Sequence, residues 1–485
     1  MENFSHFNIK KNFISLLGGQ TISFIINFFS ILLAARFLGV EIFGDFANLL
    51  AAVTILSKFV DFGMGPILFR ELSKGKNENV FSNAISLKLI LSLLLLIGMN
   101  IFFQISSLPP LEIMLANILF ITIFISSRMA NFREILATPF KANMNMQVPM
   151  ILNVLDAALL LIGVMLIPIF DLGIVYFTIV YVLANLPGFI LIIISLKKRF
   201  GYHIKFAFQN SKWLLKESVP LAGFVLLMVF FQQLDIILLK YLRGSFDAGI
   251  YAAAARLTLP LNIIPTTFVT LIFPYLVKAK DQNKEKQLII KLVFKVLFFI
   301  STIIAVISSF KISEFVKLIF GEEYSAAAMP ALLLFWSQIF LFFNFFSLDL
   351  LTVYQKQKWN FLYASLVFII NLGIDIILIP SYSFNGVGIA KLIAAIIGMI
   401  FLYIIVNKIG ITTFNFNRPN ILWWLICVLI MSYVFSLLPL VIYVLFSIVI
   451  IFILTYYIKF FNTEELILIF KFINKEKWLP KLIRN

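Results

Sequence analysis

Apolar runs of about 20 residues recur along the whole chain, and short polar links separate them. A helix of that length crosses a hydrocarbon core about 30 Å thick and satisfies its own backbone hydrogen bonds there. The runs also lack the strict apolar and polar alternation of barrel strands. The pattern therefore predicts an all-α integral membrane protein with about fourteen spans. These lie at roughly 13–35, 43–67, 82–104, 112–130, 148–168, 172–195, 219–239, 250–275, 288–310, 326–350, 359–380, 385–407, 421–438 and 440–461.

The positive charges alternate between successive links. If the N-terminus is cytoplasmic, every second link is rich in lysine and arginine, most densely between Lys197 and Lys216. The opposite links hold only Arg36, Lys240, Arg243, Lys311 and Lys317. Because cytoplasmic links collect positive charge, this alternation predicts an even number of spans with both termini in the cytoplasm. We therefore expect a multi-pass protein of a bacterial cytoplasmic (inner) membrane.

Composition excludes several classes of protein. The chain is 62% hydrophobic and 13% charged, which excludes a water-soluble fold. Cytoplasmic links beside anionic lipids account for the net charge of +16, so we expect membrane lipids as partners and no nucleic acid. The chain has one cysteine, Cys427, and two distant histidines, His6 and His203, so we expect no disulfide and no metal site.

The sequence also lacks the short motifs of common enzymes. It has no Gly-rich phosphate loop, no Ser-x-x-Lys and no His-Glu-x-x-His. We therefore expect no enzyme, no catalytic residue and no cofactor.

One junction between spans is repeated. Residues 35–47, which join spans one and two, resemble residues 239–252, which join spans seven and eight. In both places a cation ends the first helix, and a glycine two residues before an aromatic opens the next. Together with the dense basic link, this repeat predicts two six-helix lobes of like orientation at 1–212 and 213–410. Residues 411–485 would add two transmembrane helices and a cytoplasmic tail.

Three groups of residues form recognisable motifs: Ala34 to Gly39, Phe43-Gly44 and Asp61 to Gly65; Asp235, Gly249 to Leu257 and Phe273-Pro274; and Asn371, Ile379-Pro380 and Asn385 to Ala390. They resemble helices one and two, seven and eight, and eleven and twelve of the polysaccharide transporter family of the MOP flippase superfamily, which includes O-antigen and capsule repeat-unit flippases. One departure is Lys391, where relatives often have small or apolar residues.

The resemblance implies the V-shaped, two-lobed fold that this family shares with multidrug and toxin extrusion (MATE) transporters and the lipid II flippase. It also implies a cargo, an undecaprenyl-diphosphate-linked oligosaccharide repeat unit. The protein would move this unit from the inner to the outer leaflet for O-antigen (lipopolysaccharide), capsule or exopolysaccharide synthesis, with a polysaccharide polymerase as a candidate partner. Two alternatives stay open. One is a cation-coupled multidrug exporter of the same fold, and the other, from a different class, is a membrane glycosyl polymerase or ligase, which the short outer links disfavour.

Charged side chains inside spans are the candidate functional residues, because an unpaired charge at the bilayer centre costs about 3 kcal/mol or more. A hydrated, anionic diphosphate needs fixed cations that replace its water. The candidate substrate-path cations are Arg36, Lys58, Lys88, Arg256 and Lys391. The carboxylates Asp61, Asp235 and Asp375 are candidates for proton coupling or for pairing.

Spacing and depth suggest how these charges pair. Lys58 and Asp61 lie three residues apart, on one face of a helix. Each pair could be purely structural or could belong to a translocation path, and both readings stay open. The predicted pairs are Lys58 with Asp61, Asp235 with Arg256, and Asp375 with Lys391. Pro260 and Pro265 predict a bend in span eight.

Overall fold

The computed structural model describes most of the chain as helices joined by short links. The described residues contain no β-strand. The described ranges are 6–75, 77–106, 108–129, 131–202, 205–209, 211–278, 284–411, 419–463 and 465–467; within them, the side chains of 6–17, 270, 271, 273–278, 284, 285 and 419–422 are not described.

The α-helices vary in length from 4 to 51 residues. Two short 3₁₀ helices, Leu259–Asn262 and Glu322–Ala327, lie among them. In chain order the α-helices are α1 (His6–Leu38), α2 (Val40–Asp61), α3 (Met64–Ser73), α4 (Glu78–Ile105), α5 (Pro110–Phe120), α6 (Thr122–Ile125), α7 (Phe132–Ala142), α8 (Gln147–Met165), α9 (Ile167–Phe170), α10 (Ile174–Leu183), α11 (Leu186–Phe200), α12 (Ser211–Arg243), α13 (Ser245–Thr258), α14 (Ile263–Lys278), α15 (Lys284–Phe320), α16 (Ala328–Val353), α17 (Lys358–Lys408), α18 (Pro419–Phe435) and α19 (Leu440–Tyr457).

The all-helical membrane fold is confirmed. Within the described ranges, ten helical segments are long and apolar enough to cross a membrane, and shorter apolar helices cover Pro110–Ile125 and Trp423–Phe435. The 51-residue helix α17 contains a non-helical residue, Ser383, at the point where two predicted spans meet. The predicted span at 250–275 is divided by the turn at Leu259–Asn262. The count of fourteen spans therefore stays a prediction.

The bend predicted from proline lies at this turn between α13 and α14. Pro260 is inside the 3₁₀ helix, where the missing backbone donor breaks the regular ladder. The kink in α17 has a different origin. Ser383 has φ 49° and ψ −134°, and its hydroxyl donates a hydrogen bond to the carboxylate of Asp247.

The chain forms two compact units. One contains Met1–Arg256 with Asp375–Phe384, and the other contains Leu257–Ile374 with Asn385–Asn485. The lobes at 1–212 and 213–410 and the appended region at 411–485 stay predictions.

In the first unit, the two copies of the repeated junction contact each other. A Cβ on Gly44 would lie 1.9 Å from the Ser245 carbonyl oxygen, and a Cβ on Gly249 would lie 2.1 Å from the Val40 carbonyl oxygen. Val40 and Ser245 occupy equivalent positions, because each lies four residues before the glycine of its own junction. The absence of a side chain at both glycines therefore lets α2 approach α13 closely.

In the second unit, α18 and α19 pack against α15 around the fully buried Trp424. The Trp424 indole donates to the Thr455 hydroxyl at 3.0 Å, and the Tyr443 hydroxyl donates to the Ile307 carbonyl at 3.0 Å. Both polar groups have partners, as buried aromatic donors in a membrane core require. The last two described spans are thus an integral part of this unit.

Candidate functional site

Two helices of the first unit are interrupted. Helix α2 ends at Asp61, and left-handed backbone at Phe62 and Gly63 leads into α3. Helix α6 ends at Ile125, the chain becomes extended at Ser126, and helix resumes only at Phe132. We call this second interruption, residues 126–129 with Asn131, the span-four break. Interrupted backbone inside a membrane needs polar partners.

The end of α2 supplies partners for the span-four break. The Lys58 ammonium donates to the Met129 carbonyl at 3.3 Å, and the Ser57 hydroxyl donates to the same oxygen at 3.2 Å. In return, the Asn131 amide donates to the Ser57 carbonyl at 2.8 Å. Lys58 is therefore a partly buried cation fixed beside the break.

A second cation, Arg128, lies within the break itself. Its Nη1 donates to Asn27 Oδ1 at 3.1 Å, and its Nη2 donates to the Tyr181 carbonyl at 3.3 Å. The guanidinium also lies over the Tyr181 ring, 4.3 Å from its centroid. Arg256 of α13 is partly buried and lies within electrostatic range of Arg128 and Tyr181. Lys58, Arg128 and Arg256 form what we call the break cations.

A buried ion pair between Arg133 and Asp156 lies next to the start of the break. Arg133 Nη1 is 2.6 Å from Asp156 Oδ2, and the two side chains are 2% and 3% exposed. The same nitrogen donates to the Asn185 carbonyl at 3.2 Å and to the Ile125 carbonyl, where α6 ends, at 3.4 Å. A Cβ on Gly188 would lie 2.2 Å from Asp156 Oδ1, so glycine there leaves the space that the pair occupies.

Asp61 makes its close ion pair with Lys88, and the predicted partner Lys58 lies within electrostatic range of the same carboxylate. Lys88 of α4 donates to Asp61 Oδ1 at 2.6 Å, and Lys88 is fully buried while Asp61 is 13% exposed. Helix α2 stops at Asp61, which turns this carboxylate toward α4 and leaves Lys58 to the break. The geometry makes Lys88 a neutralised, buried cation.

Asp235 also has a partner other than the predicted one. The Tyr251 hydroxyl donates to Asp235 Oδ2 at 2.9 Å, and both side chains are buried. Asp375 is fully buried and lies within electrostatic range of Tyr251. Arg256, on the same helix as Tyr251, belongs instead with Arg128. Two carboxylates therefore approach one phenol in the first unit.

The remaining predicted cations lie elsewhere. Arg36 is exposed near the end of α1, and Lys391 is buried in α17 within the second unit. The pair of Asp375 with Lys391 stays a prediction. Lys240, which follows the same pattern as Arg36 in the repeat, forms an ion pair with Asp45 and donates to the Ser245 hydroxyl at 2.6 Å. In the described part of the chain, no three His, Cys, Asp or Glu residues are grouped as metal ligands.

Arg128, Arg133 and their partners were not predicted from the sequence, because both arginines count there only among the positive charges of a cytoplasmic link. The available signal is a polar stretch, Ser126-Ser127-Arg128 with Asn131, at the end of an otherwise apolar span. Serine and asparagine favour local bonds to the backbone over continued helix, which is typical of a break.

Comparisons with known proteins agree with this architecture. The profile of a family described as "Polysaccharide biosynthesis protein" matches residues 9–280. The capsular polysaccharide biosynthesis protein CapF of Staphylococcus aureus is 24% identical over 215 residues, which are 43% of this chain and 54% of CapF. The match thus spans about half the length of that relative.

Solved structures resemble the chain over most of its length. The lipid II flippase MurJ in an inward closed conformation has a TM-score of 0.74 at 18% identity, covering 90% of this chain and 97% of MurJ. An inward-facing multidrug resistance MATE family transporter of the MOP superfamily has a TM-score of 0.59 at 14% identity, covering 82% and 99%. The Vibrio cholerae MATE transporter VcmN in the bent form has a TM-score of 0.54 at 14% identity, covering 83% and 98%. These likenesses show the fold, and the profile match shows the family: the chain belongs to the polysaccharide biosynthesis protein family.

Proposed function

We propose that this protein is a flippase for undecaprenyl-diphosphate-linked oligosaccharide repeat units. It moves them from the inner to the outer leaflet of a bacterial cytoplasmic membrane for capsule, O-antigen or exopolysaccharide synthesis. The observation that carries this proposal is the presence of cations at interrupted backbone within an apolar membrane unit. Lys58 and Arg128 make hydrogen bonds at the span-four break, and Arg256 lies within electrostatic range of Arg128.

The chemistry of the cargo fits these groups. A diphosphate is anionic and strongly hydrated, so it enters a membrane protein only where fixed donors replace its water. Guanidinium groups offer paired N–H donors to phosphate oxygens, and a lysine ammonium adds a compact charge. The Tyr181 ring lies against the Arg128 guanidinium, and Arg128 as a whole is only partly buried. The lipid tail stays in the bilayer throughout.

The carboxylates take separate roles in this proposal. Asp61 neutralises Lys88, so we assign this pair to the architecture of the first unit. Asp235 accepts a hydrogen bond from Tyr251, and Asp375 lies within electrostatic range of the same phenol. We therefore assign them as the candidates for a coupling proton.

The alternatives fit the break cations less well. A multidrug exporter of the MATE type handles cationic compounds, which the three positive side chains would repel. A membrane glycosyl polymerase or ligase would need acid and base groups at a water-accessible face, whereas the two carboxylates near Tyr251 are fully buried. A transporter that performs no covalent chemistry is the simpler reading.

The orientation is part of the proposal. The basic links support an orientation with both termini in the cytoplasm, on the side of the enzymes that build lipid-linked repeat units. The released units would then be joined on the other side, which makes a polysaccharide polymerase the candidate partner.

The test is deletion of the gene, with analysis of lipid-linked sugars and surface polysaccharide in the same cells. We expect complete single repeat units on undecaprenyl diphosphate to accumulate and surface polysaccharide to fall. The intact gene should restore both, whereas an Arg128→Gln, Arg256→Gln double variant of equal abundance should not. Normal surface polysaccharide with altered sensitivity to cationic drugs would contradict the proposal and favour the exporter.

A further inference from the structure

We infer that Arg133 and Asp156 are positioning residues: through Asn185 and Tyr181 they hold the guanidinium of Arg128 in the orientation that meets an anionic ligand. The inference rests on the proposed function for its consequence in transport, but the positioning itself is a property of the first unit alone. We call these five residues the Arg128 network.

The network is a continuous chain of contacts. Asp156 pairs with Arg133 at 2.6 Å, and Arg133 donates to the Asn185 carbonyl at 3.2 Å. The Asn185 side-chain amide donates to the Tyr181 carbonyl at 2.8 Å. That same carbonyl accepts from Arg128 Nη2 at 3.3 Å. Any displacement of Asn185 therefore moves the oxygen that orients Arg128.

Arg133 also fixes the start of the break. It donates to the Ile125 carbonyl at the end of α6, and Arg128 follows three residues later. On the other side, Arg128 lies over the Tyr181 ring near the end of α10, where the helix dipole attracts a cation. Arg128 is thus held through the backbone that precedes it and through Tyr181 of α10. Arg133 contacts the first directly, at the Ile125 carbonyl, and the second through Asn185.

Stability alone does not account for the buried pair. Nε and Nη2 of Arg133 have no hydrogen-bond partner among the described residues. Replacement of a buried ion pair by apolar side chains of similar size is often neutral or stabilising. A half-satisfied pair is therefore a poor device for holding helices together, but its directional bonds can fix an orientation that apolar packing cannot.

The first test measures the local charge at the break without any cargo. In a Cys427→Ser background, Ser127→Cys places a thiol beside Arg128 in a partly exposed position. The thiol reacts with an anionic and with a cationic methanethiosulfonate reagent, and the ratio of the two rates reports the electrostatic potential that Arg128 produces at the thiol. A unit charge a few ångströms away changes this ratio about tenfold, so Arg128→Gln in the same background sets the lower limit.

The decisive variant is Arg133→Met with Asp156→Leu. We expect it to accumulate and unfold thermally like its parent, while the reagent ratio falls to the value of Arg128→Gln. A ratio equal to that of the parent would overturn the inference. If this variant does not accumulate, Asn185→Leu breaks the same network at its centre and must give the same fall; an unchanged ratio there would also overturn it.

A matched control is available in the second unit. Lys295 and Glu465 form an ion pair of the same length, 2.6 Å, with little exposure. Lys295→Met with Glu465→Leu should leave the reagent ratio unchanged. A similar fall in this control would overturn the inference, because the ratio would then follow general loosening of the protein.

The transport measurement separates the two proposals. If the network positions Arg128 and the proposed function holds, the Arg133→Met, Asp156→Leu variant should export repeat units about tenfold more slowly than the parent, as Arg128→Gln does. If the reagent ratio falls but export of polysaccharide stays normal, the positioning of Arg128 by the network is supported and the proposed function is contradicted. A normal ratio with failed export would contradict the network alone.

Discussion

Lys88 Nζ lies 2.6 Å from Asp61 Oδ1, and the lysine side chain has no exposure to solvent. Helix α4 thus supplies the counter-ion for a carboxylate that ends α2. The two partners differ in burial, since Asp61 is 13% exposed. This asymmetry predicts unequal costs for removing one partner or the other.

Asp61→Asn should destabilise the protein more than Lys88→Met. The first change leaves a fully buried ammonium without its partner, which costs about 3–5 kcal/mol, whereas the second leaves a carboxylate that reaches some water. Lys88→Met with Asp61→Leu should be close to the parent in thermal unfolding of the purified protein. If the double variant is stable but fails to export polysaccharide, Lys88 is a path cation after all.

Arg128→Gln and Arg256→Gln should each slow export without loss of protein from the membrane. Each removes a charge-assisted contact to a diphosphate, worth about 1.5–3 kcal/mol, which corresponds to roughly tenfold or more in rate. The measurement is the rate at which new repeat units appear on the cell surface. Substitution of the exposed cation Arg199 by glutamine serves as the control and should have no such effect.

Gly44→Ala should destabilise the first unit by about 1–3 kcal/mol, because the added Cβ would lie 1.9 Å from the Ser245 carbonyl oxygen. The matched control is Gly98→Ala in α4, where the new Cβ meets no atom within 4 Å. The control should be neutral or stabilising by up to about 1 kcal/mol, since alanine favours helix. Equal unfolding temperatures for the two variants would contradict the close contact.

Acid should weaken the ion pairs that Glu71 makes with Arg70 and Lys74 at the end of α3. Hydrogen bonds from Lys74 and then Arg70 hold the pKa of Glu71 below its usual 4.5, and Arg70 also reaches Glu217 of α12 at 3.4 Å. A lowered pKa in the folded state means that the stabilisation is present above pH 4.5 and is lost as the pH falls further. Glu71→Gln should therefore show a smaller drop in unfolding temperature between pH 6 and pH 4. The effect is small because Arg70 and Lys74 are exposed.

The class of fold could be predicted from the sequence because apolar length and loop charge are properties of each segment by itself. The repeated junction at 35–47 and 239–252 was visible for the same reason. The partners of the charged side chains could not be predicted in this way. Lys58 and Asp61 lie three residues apart, but α2 ends at Asp61, so the carboxylate meets Lys88, 27 residues further on. Local spacing cannot report where a helix stops.

Depth in the membrane was an equally weak guide to pairing. Asp235 and Arg256 lie at similar depth, yet Asp235 accepts from Tyr251 and Arg256 lies near Arg128. Depth fixes one coordinate, whereas a contact also needs the rotation of each helix about its axis. Arg128 was not predicted as a functional residue because a charge at the end of a span is normally assigned to a loop. Here the helix is interrupted, and Arg128 has partners inside the first unit.

The contact between the repeated junctions is isologous, as in a symmetric dimer, but both copies belong to one chain. Gly44 meets the Ser245 carbonyl and Gly249 meets its equivalent, the Val40 carbonyl. In a true dimer, one mutation alters both halves of such an interface at once. Here each half can mutate alone, so the interface can become asymmetric by single steps. The contact is already asymmetric in this way: Asp45 pairs with Lys240 in the first copy, whereas the equivalent of Asp45 in the second copy is the apolar Ile250.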